Sequence, residues 1–330
     1  MINGKGTLEV RMDKPYYISG DIITGNLFVD VRQPIECNEV VVFVKGKEKV
    51  YWEEEEYVER EGKDDKTIVK RFSNGREFFK QKLVLFNVQH ALAPGQYIYP
   101  FQYQLPMGLP GCFDNDHDDG VHAKIEYSIK GAIGVQGMFN RDLKKKQTLT
   151  VYAQLAGYVA PSFDEKVQSI NYLCCFPQGT CTLRVAMDKN MYGPGEVPRI
   201  QVDIHNNSKC DVRTMQCKLR RTTIVVGSGK KRTLTKFLTT ANFPGVASGQ
   251  SISQPQSFQL AGKGMFPSTV SSFVTVSYTI DVVCDISLCP DVKLKLPIAL
   301  GAPALQQPAV VVAAPAVAQQ VPQGKYASDV

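Results

Sequence analysis

Apolar and polar residues alternate with a period of two along most of the chain. Leu8, Val10 and Met12 are separated by polar residues, and so are Val40, Val42 and Val44 within a valine-rich run. A longer stripe, Tyr97, Tyr99, Phe101, Tyr103 and Leu105, places bulky side chains on one face. Ala123, Ile125, Tyr127 and Ile129 repeat the pattern, as do Val274, Val276, Tyr278 and Ile280, and then Val292, Leu294, Leu296 and Ile298. Short alternating runs parted by Gly, Pro and Asn predict antiparallel sheets, each with one buried face. No long segment carries a helical period. The pattern predicts an all-β protein made of sandwiches.

The pattern is also stated twice. "YYISGDIITGNLFVDV" (Tyr16 to Val31) and "MYGPGEVPRIQVDIHN" (Met191 to Asn206) share a tyrosine, a glycine three residues on and an acid directly after it. "GQYIYPFQYQL" (Gly95 to Leu105) is echoed by "GQSISQPQSFQL" (Gly249 to Leu260), and "AKIEYSIKGA" (Ala123 to Ala132) by "VTVSYTIDVV" (Val274 to Val283). Three matches in one order predict two copies of one sandwich. The first copy spans residues 1–155 and the second 178–300. Residues 156–177 form an apolar connector expected to pack between them. From 301 to 330 the chain turns to Ala, Val, Pro and Gln with few charges, a composition expected to be disordered.

Composition narrows the class. A chain of 330 residues with 43% apolar and 21% charged residues is ordinary for soluble domains that bury a core. The net charge of +6 does not by itself call for nucleic acid, and none is expected as a partner. Nine irregularly spaced cysteines read as reduced thiols. With no signal-like or membrane-spanning apolar run, the expectation is a cytoplasmic protein whose contact with plasma membrane or endosomes is peripheral. The sequon Asn206-Asn207-Ser208 would then go unused.

The ordered motifs carry a resemblance. "Y-x-x-G-D-x-x-x-G", "YPFQYQLPMGLPGCF" and "IEYSIKGAI" resemble the first half of the arrestin fold. "YLCCFPQGTCTLRVAMDKNMYGPGEVPRIQVDIHNNS" and "VKLKLPIALGAPAL" resemble the start and end of a C-terminal domain in the α-arrestin, or arrestin-domain-containing, branch. The resemblance covers about residues 5 to 305. It implies a non-catalytic cytosolic adaptor for cytoplasmic tails of receptors and transporters, acting with trafficking machinery in endocytosis, transport or signalling. Sheet faces and edge strands would take the cargo by strand addition and charge pairing. The turn "LPGCFDNDHDDGVHA" carries an acidic insertion relative to the family, and no Pro-Pro-x-Tyr motif is present, so ubiquitin-ligase recruitment is not expected. Two alternatives stand beside this reading: a fixed subunit of a retromer- or coat-type sorting complex sharing the fold, and a phosphoinositide- or metal-responsive signalling module.

Candidate chemistry is sparse. His90, His117, His122 and His205 lie in no activating pattern with Ser, Cys or carboxylate, and no phosphate-loop or dinucleotide motif occurs, so neither an enzyme nor a cofactor is expected. The repeated Tyr17/Gly20/Asp21 and Tyr192/Gly195/Glu196 read as a turn rule: glycine permits the turn, the acid caps it and tyrosine anchors the strand. Asp114, Asp116 and Asp118 occupy positions one, three and five of a calcium loop, but Asp119 stands where glycine is needed and Ile125 where glutamate is. A solvated acidic loop is the preferred reading. Cys174, Cys175, Cys181, Cys284 and Cys289 could be assembled into a zinc site, and Cys174-Cys175 could be acylated, but buried reduced thiols explain them better.

Charge distribution is the richest signal. From Val212 to Ile280 there is no Asp or Glu, while the same window holds Lys218, Arg220, Arg221, Lys230, Lys231, Arg232 and Lys236. "KLRRTTIVVGSGKKRTLTK" predicts a hairpin with a Gly-Ser-Gly turn and a basic tip. Such a surface would attract phosphoinositide headgroups, an anionic membrane or phosphorylated tails, although a solubilised sheet face accounts for it equally well. Lys5, Arg11 and Lys14 at the first strand are further candidates for acidic cargo. "EEEEYVEREGKDD" (Glu53 to Asp65) reads as an exposed, mobile acidic hairpin tip or loop that could lock onto the basic second lobe. Ser328 and Val330 match a PDZ ligand, a match three residues long and better explained by chance.

Overall fold

The computed structural model describes residues 4–58, 66–115, 118–134, 143–155, 157, 159–172, 175–193, 196–260 and 264–301. Among these the chain is almost entirely strand. The first lobe contains β1 (Gly6–Met12), β2 (Tyr17–Ile18), β3 (Ile22–Val31), β4 (Ile35–Glu36), β5 (Glu39–Val58) and β6 (Lys66–Asn87). It continues with β7 (Ala91–Leu92), β8 (Gly95–Gln104), β9 (Phe113–Asp114), β10 (Val121–Gly134), β11 (Leu143–Leu149) and β12 (Val151–Tyr152). The second holds β13 (Ser162–Tyr172), β14 (Phe176–Met187), β15 (Met191–Tyr192), β16 (Arg199–Ser208) and β17 (Val212–Gly227). It is completed by β18 (Lys230–Val246), β19 (Ser251–Ser257), β20 (Thr269–Val270), β21 (Val274–Ile286) and β22 (Val292–Leu300).

Each lobe packs two sheets. In the first, β1-β3-β8 faces β11-β10-β5-β6; in the second, β13-β14-β16-β19 faces a sheet of order β15-β22-β21-β17-β18. The period of two sets which side chains enter the core. β3 buries Ile23, Leu27, Val29 and Val31, and β10 buries Ala123, Ile125, Tyr127 and Ile129. Valine, isoleucine and tyrosine at these positions suit a pleated, half-buried surface.

The internal repeat is structural. β8 pairs antiparallel with β3, and β19 pairs in the same way with β16. Tyr17 and Ile18 pair in parallel with Val151 and Tyr152, and Met191 and Tyr192 with Ala299 and Leu300. The repeated phrase therefore closes each sandwich by tying the beginning of a lobe to its last strand. Tyr17 is fully buried and donates to the Thr24 carbonyl at 3.0 Å, Gly20 has φ of 91°, and the Asp21 carboxylate accepts from the Ile18 amide at 2.9 Å. Only glycine enters that φ region without strain. In the second lobe Tyr192 donates instead to Asp188 at 2.8 Å, and Glu196 pairs with Lys189; Gly195 lies outside the described residues.

Two stretches differ from the sequence reading. Within the expected connector, Ser162–Tyr172 is strand β13, hydrogen-bonded to β14 from Ser162↔Met187 onward, so it is the edge of a sheet of the second lobe. Its Ile170 is buried whereas Phe163 and Val167 are exposed, which is why its composition resembled a packed linker. Glu53 to Val58, expected in a mobile hairpin tip or loop, are regular strand: they continue β5 and pair with Arg71 to Lys66 of β6. Residues 59–65 lie outside the described residues.

Candidate functional site

The β17–β18 hairpin forms as expected. Gly227 faces Lys230 across a two-residue turn, and Ser228 and Gly229 have φ of 49° and 80°. Two successive positive φ values belong to the turn that matches strand twist in tight hairpins. The tip, however, is docked on the first lobe. Lys230 pairs with Glu54 and lies over the Phe72 ring at 4.8 Å. Asn74 donates to the Val226 carbonyl at 3.0 Å, and the Ser228 amide donates to the Ser73 carbonyl at 3.2 Å. The acidic strand and the basic hairpin do meet, through Glu54.

The same seam runs through the acidic turn. The Gly111 amide donates to Thr269 at 2.7 Å, and Phe113 meets Phe266 edge-on with ring centroids 5.2 Å apart. Arg221 is 3% exposed, donates to the side chain of Asn115 at 3.1 Å and to the Gly264 carbonyl at 2.7 Å, and covers the Phe113 ring. Arg232 donates to the Asp119 carbonyl at 3.0 Å.

These contacts disperse the expected basic patch. Arg221 belongs to the seam because it is in phase with Cys217 and Leu219 on the inner face of β17, all three buried. Arg220 is held by Asp281 at 2.8 Å and by Thr279 at 3.0 Å. Lys230 and Arg232 grip the first lobe. Lys231 and Lys236 remain exposed on β18, and Lys218 is half-buried over Phe237 at 5.7 Å. At the first strand, Arg11 pairs with Glu9 at 2.8 Å and sits over Phe28, Lys14 lies 5.8 Å from the Tyr17 ring, and Lys5 is exposed.

Of the calcium-like positions, Asp114 pairs with Lys124 at 2.7 Å and Asp118 begins a short 3-10 turn, Asp118–Gly120; Asp116 and His117 lie outside the described residues. No group of three or more His, Cys, Asp or Glu suited to a metal occurs among the described residues. Cys181, Cys217 and Cys284 are fully buried, and burial pushes the Cys181 thiol up to about 11 and that of Cys217 to about 12. Cys175 is exposed, while Cys174, Ser328 and Val330 lie outside the described residues. Asn206 of the sequon is buried and donates to the carbonyls of Cys210, Val246 and Ala247.

A different surface concentrates charge. The outer face of the β11-β10-β5-β6 sheet carries lysines in directly opposed positions: Lys45↔Lys80, Lys49↔Lys124 and Lys130↔Lys146. Lys45, Lys47, Lys80, Lys130 and Lys146 line a depression of about 330 Å³ with Phe43 and Ser128. A second hollow of about 200 Å³ beside it is lined by Lys47, Lys49, His122, Lys124 and Glu126. Carboxylates answer part of this set: Glu39 pairs with Lys82, and Asp114 with Lys124 at 2.7 Å. Glu77 pairs with Lys45, and Glu126 is shared by Lys146, Lys47 at 3.8 Å and Lys124 at 3.9 Å. Lys49 and Lys130 have no carboxylate partner among the described residues. Partial burial opposes ionisation of Glu126, yet the Lys146 hydrogen bond and the fields of Lys47, Lys146 and Lys124 hold its carboxyl below the usual range. The sequence did contain the signal. Lys45, Lys47 and Lys49 continue the alternation of Val40, Val42 and Val44 in opposite phase, which puts them all on the outer face.

Comparisons agree with this architecture. Residues 7–157 match the N-terminal domain of arrestin (or S-antigen), and residues 177–305 match its C-terminal domain. Arrestin domain-containing protein A of Dictyostelium discoideum is 28% identical, over 92% of this chain and 52% of its own length. Protein B of the same organism is 24% identical over 88% of this chain and 45% of its own length. Arrestin domain-containing protein 5 of Bos taurus is 26% identical over 59% and 57%. The chain thus spans about half the length of the curated relatives it matches. No helix among the described residues is long and apolar enough to cross a membrane. Two sandwiches closed by the same turn, joined along one seam and matched domain by domain in chain order, place the chain in the arrestin family, in its arrestin domain-containing branch.

Proposed function

We propose that this protein is a non-catalytic trafficking or signalling adaptor that binds acidic or phosphorylated cytoplasmic segments of membrane proteins on the lysine face of its first lobe. The observation that carries the reading is the set of directly opposed lysine pairs on β5, β6, β10 and β11. Like charges directly opposite one another on a sheet destabilise it, so folding alone does not reward the arrangement. An anionic partner removes the repulsion and gains several charge-assisted hydrogen bonds. Phosphates or carboxylates projecting from an extended segment meet lysines about 7 Å apart along β5, the spacing of alternate residues on a strand. Lys218, Lys231 and Lys236 of the second lobe, with Lys5 and Lys14, contribute a weaker, long-range attraction to anionic partners or membrane.

Fluorescence anisotropy with a labelled peptide carrying several phosphoserines tests the reading. Wild-type protein is expected to bind it more tightly than the unphosphorylated peptide, with affinity falling as salt rises. A Lys45→Glu/Lys130→Glu/Lys146→Glu variant that retains the wild-type circular dichroism spectrum is expected to lose binding at least about tenfold. Equal affinity of the variant and wild type would overturn the assignment to this face. Lys231→Glu/Lys236→Glu, measured in parallel, gives the share of the second lobe.

A further inference from the structure

Two sulfurs at the far end of the second lobe have no part in the reading above. Cys210 lies in the turn between β16 and β17, where the chain crosses from one sheet of the sandwich to the other. Cys289 lies in the turn between β21 and β22. The two are 79 residues apart in sequence, and their Sγ atoms are 3.6 Å apart. Both are half-buried against the apolar core.

Local hydrogen bonds hold each cysteine where it is. The Cys210 amide donates to Ser208 Oγ at 3.2 Å, and its carbonyl accepts from Ser208 Oγ at 3.0 Å and from Asn206 Nδ2 at 2.9 Å. The Cys289 amide donates to the Ile286 carbonyl at 3.2 Å. The next two carbonyls, of Pro290 and Asp291, accept from Gln168 of the edge strand β13 at 3.3 and 3.4 Å. Both backbones are therefore tethered on either side of the sulfur contact. A disulfide needs its sulfurs about 2.05 Å apart, so the two must move closer than 3.6 Å to bond.

Three other cysteines of this lobe differ in kind. Cys181, Cys217 and Cys284 are sealed in the core, and desolvation raises their thiols far from ionisation at neutral pH. A thiol that does not ionise and that water does not reach is a poor nucleophile. Cys210 and Cys289 are both partly accessible, and each has a sulfur partner in contact.

We propose that Cys210 and Cys289 form a reversible disulfide when the protein meets a peroxide. The thiolate of one cysteine attacks a peroxide oxygen, giving a sulfenic acid and releasing hydroxide, which takes up the proton lost on thiol ionisation. The second thiolate then attacks the sulfenic sulfur, closing the S–S bond and expelling hydroxide, which is protonated to water. In sum, two thiols and one hydrogen peroxide give one disulfide and two waters: sulfur is oxidised by two electrons and peroxide reduced by two. The bond encloses β17 to β21, including the hairpin that docks on the first lobe. Cross-linking so long a loop restricts the unfolded chain more than the folded one, so the oxidised protein withstands heat better.

The experiment uses the full chain. Folded protein is treated with hydrogen peroxide, alkylated with iodoacetamide, digested without reductant and mapped by mass spectrometry. The expected product is a linked peptide pair containing Cys210 and Cys289, absent after dithiothreitol, in a protein that melts several degrees higher than its reduced form. Cys210→Ser and Cys289→Ser should each abolish the link and the shift in melting. Recovery of both cysteines as separate alkylated thiols, or as independently over-oxidised residues, would overturn the proposal. Because the peptide map is made on wild-type protein, it decides the question even where a variant folds poorly.

Discussion

Arg221 of the second lobe donates to the side chain of Asn115 of the first at 3.1 Å, and both residues are buried. Its other branch reaches the Gly264 carbonyl at 2.7 Å, so one guanidinium joins the acidic turn of one sandwich to a loop of the other. Replacing it with methionine keeps most of the apolar stem and removes these donors. Hydrogen bonds from charged groups are worth about 1.5–3 kcal/mol each. Arg221→Met is expected to lower the melting temperature by roughly 4–8 °C and to speed proteolysis between the lobes. A variant with unchanged melting and cleavage would show that the seam is held elsewhere.

Gly227 makes a second test of the seam. A Cβ at this position would lie 2.5 Å and 2.8 Å from atoms of the Trp52 ring and 3.1 Å from the Phe72 backbone. Trp52 is fully buried and stacked on Phe72, so it has little room to retreat. Gly227→Val is expected to lift the hairpin tip off the first lobe at a cost of about 1–3 kcal/mol. Hydrogen exchange reads the change directly: the Ser228 amide, which donates to Ser73 across the seam, should lose protection while the strands within each lobe keep theirs.

Asn206 ties the end of β16 to two other segments through the carbonyls of Cys210, Val246 and Ala247. Asn206→Ala leaves those acceptors without their side-chain donor, at a cost of about 1–3 kcal/mol. The urea midpoint should fall accordingly, and the crosslinking of Cys210 by peroxide should become less efficient because its turn is no longer pinned.

Glu126 links stability to pH. Its carboxyl is held below the usual carboxylate range by the lysines around it, so the folded state is favoured while the group is ionised. That contribution is complete above the unfolded value and fades as pH falls through the lower folded one. Glu126→Gln is expected to flatten this part of the acid limb of a stability profile. At neutral pH it removes a negative charge from the lysine face, so the phosphopeptide should bind it more tightly than wild type. Unchanged affinity would mean that the peptide does not contact this face.

Calcium gives a simple check on the acidic turn. With Asp114 engaged by Lys124 and the Asn115 side chain by Arg221, millimolar calcium should leave the melting temperature unchanged. A rise in melting with calcium, lost in Asp114→Asn, would revive the metal reading.

How much of this was legible beforehand depends on the range of the interaction. The alternation of Ala123, Ile125, Tyr127 and Ile129 predicts a strand with a buried face, because side chains on a strand point to opposite sides in turn. The recurrence of Tyr17-x-x-Gly20-Asp21 near Tyr192 predicts two copies of one sandwich, because a short turn is specified by nearby residues. β13 escaped the same reading: at a sheet edge only Ile170 needs burial, so Phe163 and Val167 carry no clean period. Arg221 was misjudged by charge, although its phase with Cys217 and Leu219 already pointed inward.

The sequence by itself determined most of the strands, the duplicated Tyr-x-x-Gly-acid turn and the hairpin at Ser228-Gly229, each specified by residues a few positions apart. Only the tertiary structure decided which charges meet. Glu54 and Lys230, or Asn115 and Arg221, stand more than a hundred residues apart, and the lysines opposed on β5, β6, β10 and β11 come from segments that pair only once the sheet has formed. Coulomb forces depend on distance in space, and strand register sets that distance. A basic run and a basic face are therefore different objects: Arg221, Lys230 and Arg232 of the run at β17–β18 are spent on holding the lobes together, and the face on the first lobe exists only in the folded sheet.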